Sequence, residues 1–291
     1  MKVDVECYVC LIERGIRAAI MAGADREKIL EVARRISRLL VDSFNFDTVP
    51  AVIGTLRERI IAEVLGVEDP YRNLKEHSNR LAAGLSQRIF SRIDLSDHTY
   101  ATFRKVMAIA AAANAVEWFI RGDEFDLERL GDELAGAEER LMIDDTMGLY
   151  NALRGRRILY ILDNAGEAVI DREVLRYLRG LADRVYVAAR SKPVLNDITV
   201  DEALHIGIGD ICDGVVPVGD FVGVIMEWAT EEFRRIVNSV DVIVAKGMGA
   251  YETLTEYSLQ RPTFVLLKAK CRPIARSLGI PQGMLAIKRL E

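Results

Sequence analysis

The sequence predicts a two-part α/β protein. An all-helical N-terminal domain over residues 1–155 is joined to a Rossmann-like, three-layer α/β/α domain over residues 156–291, with a mostly parallel sheet. Three observations predict it. Up to about residue 155, apolar positions recur at helical spacing and no strand pattern stands out. After Arg157, short apolar runs alternate with helix-length amphipathic stretches, the grammar of buried parallel strands covered on both faces. The chain of 291 residues is 50% hydrophobic and 29% charged, enough for a sizeable core and unlike a disordered or collagen-like chain.

The helical half reads in order. Ile12, Ile16, Ala19 and Ile20 lie on one face. Asp25 is a fitting N-cap for a helix carrying Ile29, Val32, Ala33, Ile36, Leu39 and Leu40. Thr48 before Val49-Pro50 opens another helix, with Pro in the first turn where its missing N–H does no harm. A helix follows over 71–90 and a very apolar one over 100–120, whose alanines allow neighbours to approach closely. In the second half, strands are expected at 158–162, 185–189, 214–218, 240–245, 264–267 and 284–287, with helices at 168–181 and 222–237 among the connections.

Several function classes are disfavoured at once. The formal charge of -5 offers no whole-chain attraction to nucleic acid. No 18-residue apolar run is present, and the mixed-charge N-terminus has no signal-peptide core, so a cytoplasmic protein off the membrane is expected. Four cysteines are too few for a disulfide scaffold. Neither a Gly-x-Ser-x-Gly elbow nor a Gly-x-x-x-x-Gly-Lys-Ser/Thr phosphate loop occurs. Gly207-Ile208-Gly209 is half of a dinucleotide fingerprint with Cys212 in place of the third Gly, and reads as a loop.

In sheets of this kind ligands bind at the carboxyl ends of the strands. The loops there are Asp163-Asn164-Ala165-Gly166-Glu167, Arg190-Ser191-Lys192-Pro193-Val194-Leu195-Asn196-Asp197, and Lys246-Gly247-Met248-Gly249-Ala250-Tyr251-Glu252; Lys268 ends the fifth expected strand. Oxygen donors on Asp163, Asn164 and Asp197 suit a hard divalent cation. Lys246 and Lys268 are candidates to hold a phosphate as point charges, helped by N–H groups at a Gly-rich helix entry. Taken singly, the Asp-Asn-Ala-Gly loop is as well explained as an ordinary turn.

These segments, together with Cys7-Tyr8-Val9-Cys10, Asp69-Pro70-Tyr71 with Lys75 and Asn79, Asn114 with Glu117, and Leu267-Lys268-Ala269-Lys270-Cys271, resemble the metal-dependent damage-control phosphatases, long catalogued as domain of unknown function 89. The resemblance spans nearly the whole chain. It implies a divalent ion (Mg, Mn, Co or Ni) held by Asp163, Asn164 and Asp197, and hydrolysis of small phosphate monoesters. Asp163, Asp197 and Glu167 would be catalytic. Substrate contacts would fall on Asn114, Glu117, Lys192, Lys246, Gly249, Tyr251, Glu252 and Lys268. The Cys-x-x-Cys pair places the chain near the microbial branch. Val265 stands where the eukaryotic sugar-phosphate branch carries Arg, and Glu117 where relatives often carry Asp.

The expected partner is a small phosphorylated metabolite, with homo-oligomerisation open. Two roles are open for Glu167, orienting a water or capping the following helix. Three are open for Cys7 and Cys10: structural burial, a redox pair, or a second metal. A carboxyl methyltransferase and a non-catalytic phosphometabolite-binding protein are the competing functions.

Overall fold

The computed structural model describes residues 1–116 and 127–291; Glu117 lies outside them. The chain opens with helices α1 (Val5–Met21), α2 (Arg26–Ser43) and α3 (Pro50–Leu65). The Asp4 carboxylate accepts the Glu6 N–H at 3.0 Å and the Asp25 carboxylate the Lys28 N–H at 2.8 Å, capping α1 and α2. Pro50 starts α3, but the cap position is Val49 rather than Thr48, whose hydroxyl donates back to the Ser43 carbonyl at 3.0 Å. Leu11, Ala18, Val32, Ile36, Leu40, Ile53 and Ile61 close these three helices into a core of their own.

Next come α4 (Arg72–Phe90), α5 (Tyr100–Ala113), a 3-10 turn at Asn114–Val116, α6 (Leu127–Ala135) and a 3-10 turn at Ala137–Arg140. The apolar helix expected over 100–120 therefore ends at Ala113. Strand β1 (Leu141–Asp144) follows, then α7 (Thr146–Leu153), so the segment expected to be all-helical contributes a strand. Four residues at a sheet edge, with only Leu141 buried, leave no period for a sequence pattern to register.

The remainder alternates: β2 (Arg157–Ile161), α8 (Glu167–Arg179), β3 (Arg184–Ala189), α9 (Val200–His205), β4 (Gly214–Pro217), α10 (Glu231–Ser239), β5 (Val242–Lys246), α11 (Gly247–Leu254), β6 (Thr263–Lys268), α12 (Arg272–Leu278) and β7 (Leu285–Leu290). The helix expected over 222–237 begins only at Glu231. Gly223, at φ +74°, breaks it: a Cβ there would stand 2.3 Å from the Gly249 carbonyl oxygen.

The seven strands lie in the order β1-β7-β6-β5-β2-β3-β4. All pairs are parallel except β6 with β7. From β2 the chain first builds outward through β3 and β4, then returns to place β5 on the other flank of β2. The crevice between β2 and β5 is thus the topological switch point, where such sheets bind ligands.

Alternate strand residues feed two cores. Ile158, Tyr160, Val185, Val187, Val244 and Leu266 pack with α4, α5, α7 and α8, while Leu159, Ile161, Ile243, Val265 and Leu267 pack with α10, α11 and α12. Helices α4 and α5 therefore belong to the sheet's own core. Residues 106–113 of α5 are all buried, five of them alanine and at most 3% exposed. Ala111→Leu should cost about 1–3 kcal/mol by overpacking this face, measurable as a lowered midpoint in urea; unchanged stability would contradict the close approach.

Candidate active site

The loops after β2, β3 and β5 converge. The Ile198 N–H donates to the Asp163 carbonyl and the Ala165 N–H to the Asn196 carbonyl, each at 2.9 Å, stitching the first two loops together. The third is held by shape. Gly247 has φ +83°, and a Cβ on it would lie 1.8 Å from the Asp163 Oδ2. Only glycine lets the entry to α11 run against that carboxylate.

Asp163, Asn164 and Asp197 line one cavity of 370 Å³, together with Gly249 and Glu252. Its other wall comes from α1 and α3. Behind the rim runs a buried network. Asn114 Nδ2 donates to Asp163 Oδ2 (3.0 Å) and Glu167 Oε2 (2.9 Å), and Asn164 Nδ2 donates to the same two oxygens at 2.9 and 3.0 Å. With both amide hydrogens spent on carboxylates, the Asn164 amide oxygen faces the opposite way.

Lys246 sits deeper and makes no contact with the cavity. Its ammonium meets Glu167 Oε1 at 2.6 Å and Asp171 Oδ1 at 2.7 Å, and lies 6.0 Å from the Tyr160 ring centroid. The Tyr160 hydroxyl donates to Asp171 at 2.8 Å. Burial pushes Asp171 up to about 6, with the Lys246 charge opposing the rise. Burial also works against the charge on Lys246, but Asp171 and Glu167 outweigh it and hold the ammonium above its usual value.

Asp197 is anchored by Arg190, whose Nε donates to Oδ2 at 2.7 Å with both side chains buried, and whose Nη1 reaches the Gly223 carbonyl. Lys75 acts from outside. It bridges Asp69 and Glu202 at 2.7 Å each, and Glu202 with Thr199 forms the capping box that starts α9, two residues beyond Asp197.

The remaining expected residues fall in several places. Glu167 is fully buried and lines no part of the cavity. Lys268 pairs with Glu133 at 2.6 Å, its backbone N–H donates to Asn114 at 3.4 Å, and burial lowers its pKa against that pairing. Tyr251 is buried with its hydroxyl 3.0 Å from Ser277. Lys192 is exposed in a separate groove with Asp69 and Lys75. Burial pushes Glu252 up to about 7, opposed by Arg14.

Cys7, Cys10 and Cys271 also line the cavity, none of them in a disulfide. Burial pushes Cys7 up to about 11, which keeps it protonated at neutral pH. Among the described residues, no three His, Cys, Asp or Glu side chains gather in a metal-holding arrangement. No described helix is long and apolar enough to cross a membrane.

Sequence reasoning missed Arg190, Asp171 and Tyr160. The signal for Asp171 was its place four residues after Glu167, on the same face of α8. Arg190, directly after a buried strand, could have been flagged as a charge needing a partner.

Residues 3–285 match the model of the damage-control phosphatase ARMT1-like domain. The chain belongs to this family. It is 31% identical over 291 residues to a damage-control phosphatase of Pyrococcus horikoshii, covering 99% of this chain and 98% of that one. The crystal structure of that organism's DUF89 family protein superposes with a TM-score of 0.88 at 30% identity, over the whole of both chains. A damage-control phosphatase of Archaeoglobus fulgidus is 28% identical over all of both chains. An uncharacterized protein of Methanocaldococcus jannaschii is 31% identical over 97% of this chain and 94% of its own. The chain is accordingly a phosphatase, a hydrolase of phosphate esters.

Two outcomes follow for this damage-control phosphatase. Gly247→Ala adds about 1–2 kcal/mol of backbone strain and displaces Asp163, so turnover should fall about ten- to a hundredfold while the protein stays folded by circular dichroism. Wild-type turnover in that variant would refute the cradle. With burial holding Glu252 near 7, the side chain is mostly neutral below that pH and adds a negative charge to the cavity above it, which would oppose entry of a phosphate ester. Relative to Glu252→Gln, wild-type kcat/KM should therefore decline as pH rises through about 7; taking the ratio at each pH cancels the substrate's own ionisation, and a flat ratio would refute it.

Proposed function

We propose that the chain hydrolyses small phosphate monoesters, surplus or damaged phosphometabolites, sugar phosphates or nucleotides, with a divalent cation (Mg, Mn, Co or Ni) held by Asp163, Asn164 and Asp197. The carrying observation is the donor set. Two carboxylates and an amide, all oxygen donors, line one cavity at the switch point, and the missing Cβ of Gly247 leaves room against Asp163. Oxygen ligands at an open site suit a hard cation that must also accept a phosphoryl oxygen and water. A cation bound there would draw charge from the phosphoryl group and make an attacking water more acidic.

The chain's own residues do the rest. Glu167 takes hydrogen bonds from Asn114 and Asn164 and so fixes the amide of Asn164; its role is positioning rather than contact with substrate. Lys246 holds Glu167 in turn, its ammonium 2.6 Å from Oε1 inside the core. Met248 and Gly249 of the first turn of α11 line the cavity, and N–H groups of that turn, which lack intrahelical partners, would receive phosphoryl oxygens there. Arg190 holds Asp197 in place through its 2.7 Å pair. Lys268 and Asn114 support this rim from behind, and Lys192 and Tyr251 take no part in substrate contact.

The test strips the protein with chelator, then adds each cation separately and measures phosphate release from p-nitrophenyl phosphate and titration heat. Wild type should regain turnover. Asp163→Asn should stay inactive, bind the cation more weakly and melt as a folded protein. Full activity after stripping, or in that variant, would overturn the metal-dependent reading.

A further inference from the structure

The cavity holds an acid that the positioning network does not use. Among the described residues, four carboxyl side chains line it: Glu13, Asp163, Asp197 and Glu252. Asp163 and Asp197 are the proposed cation ligands; the amides of Asn114 and Asn164 donate to the first and Arg190 to the second. Glu13 pairs with Arg17 at 2.8 Å, and its side chain is 56% exposed. Glu252 is the half-buried acid that is left.

Its place on α11 relates it to the phosphoryl group. Met248 and Gly249 of the first turn line the cavity, and Glu252 follows them at i+4 and i+3, on the same face of the helix. Gly249 and Glu252 are separated by about 4.5 Å of helical rise, and the Cα–Cβ bond of Glu252 tilts back toward that first turn. A phosphoryl group received by the first turn, with its ester oxygen pointing along α11 into the cavity, meets the Glu252 carboxyl.

That carboxyl can carry a proton at neutral pH. Burial brings it up to about 7 against Arg14 of α1, the amino-terminal ammonium, and the Ala51 N–H and Arg57 of α3. Cys7 and Lys270 line the same space, and burial keeps Cys7 a neutral thiol. An acid poised near the operating pH is the most effective proton donor.

We infer that Glu252 is the general acid of the reaction and protonates the leaving oxygen of the ester. This rests on the phosphatase reading above. As the bond between phosphorus and the ester oxygen breaks, its electron pair stays on that oxygen, which takes the Glu252 proton and departs as a neutral alcohol. The attacking water forms the new bond to phosphorus and keeps one proton there, as hydrogen phosphate. Its other proton returns through solvent to the Glu252 carboxylate, so each turnover consumes ester and water alone. An alkoxide leaves poorly without a proton, whereas p-nitrophenolate departs unaided. The dependence on Glu252 therefore grows with the basicity of the leaving oxygen.

The test compares wild type and Glu252→Gln, both Mn-loaded, on p-nitrophenyl phosphate, phenyl phosphate and glycerol 3-phosphate, in order of rising leaving-group basicity. At about pH 6 the wild-type side chain is mostly neutral, so the substitution removes an acidic proton and hardly alters the charge of the cavity. There kcat/KM for glycerol 3-phosphate should fall about a hundredfold or more, and for p-nitrophenyl phosphate less than about fivefold, with phenyl phosphate between. A structural or purely electrostatic role would move all three alike. On wild type, kcat for glycerol 3-phosphate should decline as pH rises through about 7, while kcat for p-nitrophenyl phosphate should not.

An equal loss for the three esters, or an undiminished rate for glycerol 3-phosphate, would overturn the assignment and leave the phosphatase reading standing. Should the variant not fold, the wild-type profiles decide, and the same profile for both esters would overturn it. No release from any of the esters by Mn-loaded wild type would overturn the metal-dependent reading, and the assignment with it.

Discussion

One buried ammonium group organises the rim at the switch point. Lys246 ends the central strand β5 and is inserted between two carboxylates of α8, Glu167 and Asp171, with no contact to solvent. Removing one partner of such a buried pair typically costs about 3–5 kcal/mol, because the other charge is left uncompensated. The contact crosses β2, joining the strand on one flank of the switch point to the helix that leaves it. From Lys246 the constraint runs outward: Glu167 is held, Glu167 holds the amides of Asn114 and Asn164, and those amides hold Asp163. Each side chain has its partner before any ligand arrives, so the site is preorganised rather than assembled on binding.

The other half of the donor set is secured differently. Asp197 lies on a loop, and loops hold geometry poorly unless they are tied down. Here the ties are backbone bonds to the β2 loop, the buried Arg190 pair, and the Lys75 strut that connects α4 through Glu202 to the start of α9. Leu195 adopts φ +50°, a left-handed conformation that a leucine holds only when its surroundings fix it. The Leu195 side chain is buried in the core of α1, α2 and α3. The N-terminal helices thereby take part in fixing the loop that carries Asp197.

How far the sequence discloses this depends on the physical signal each element carries. Buried strands such as 158–162 are legible because every residue between Ile158 and Leu162 is apolar, a run that a solvated segment would not carry. Asp163, Asn164 and Asp197 are legible because polar residues cluster directly after such runs. Edge strand β1 is not, since four residues with one buried position set no period. Lys246 is legible as a functional lysine but not as a buried one: a lysine after a strand reads the same whether it points into the cavity or the core, and Asp171 settles the direction only once α8 is docked. The helix expected at 222–237 fails because apolar residues that pack an irregular loop mimic a helical period, and the glycine that breaks it acts through a contact with Gly249 distant in sequence.

The two walls of the cavity are built on different cores, and that division matches what each has to do. The rim that would hold the cation and scissile phosphate rises from the central strands, where Ile158, Tyr160, Val244 and Ala245 are fully buried and a displacement would strain the whole sheet. The facing wall rises from α1 and α3, which share a small core with α2 and touch the rim through few side chains, among them Leu195 and Val222. Bond cleavage tolerates little displacement, so its groups belong on the stiff side.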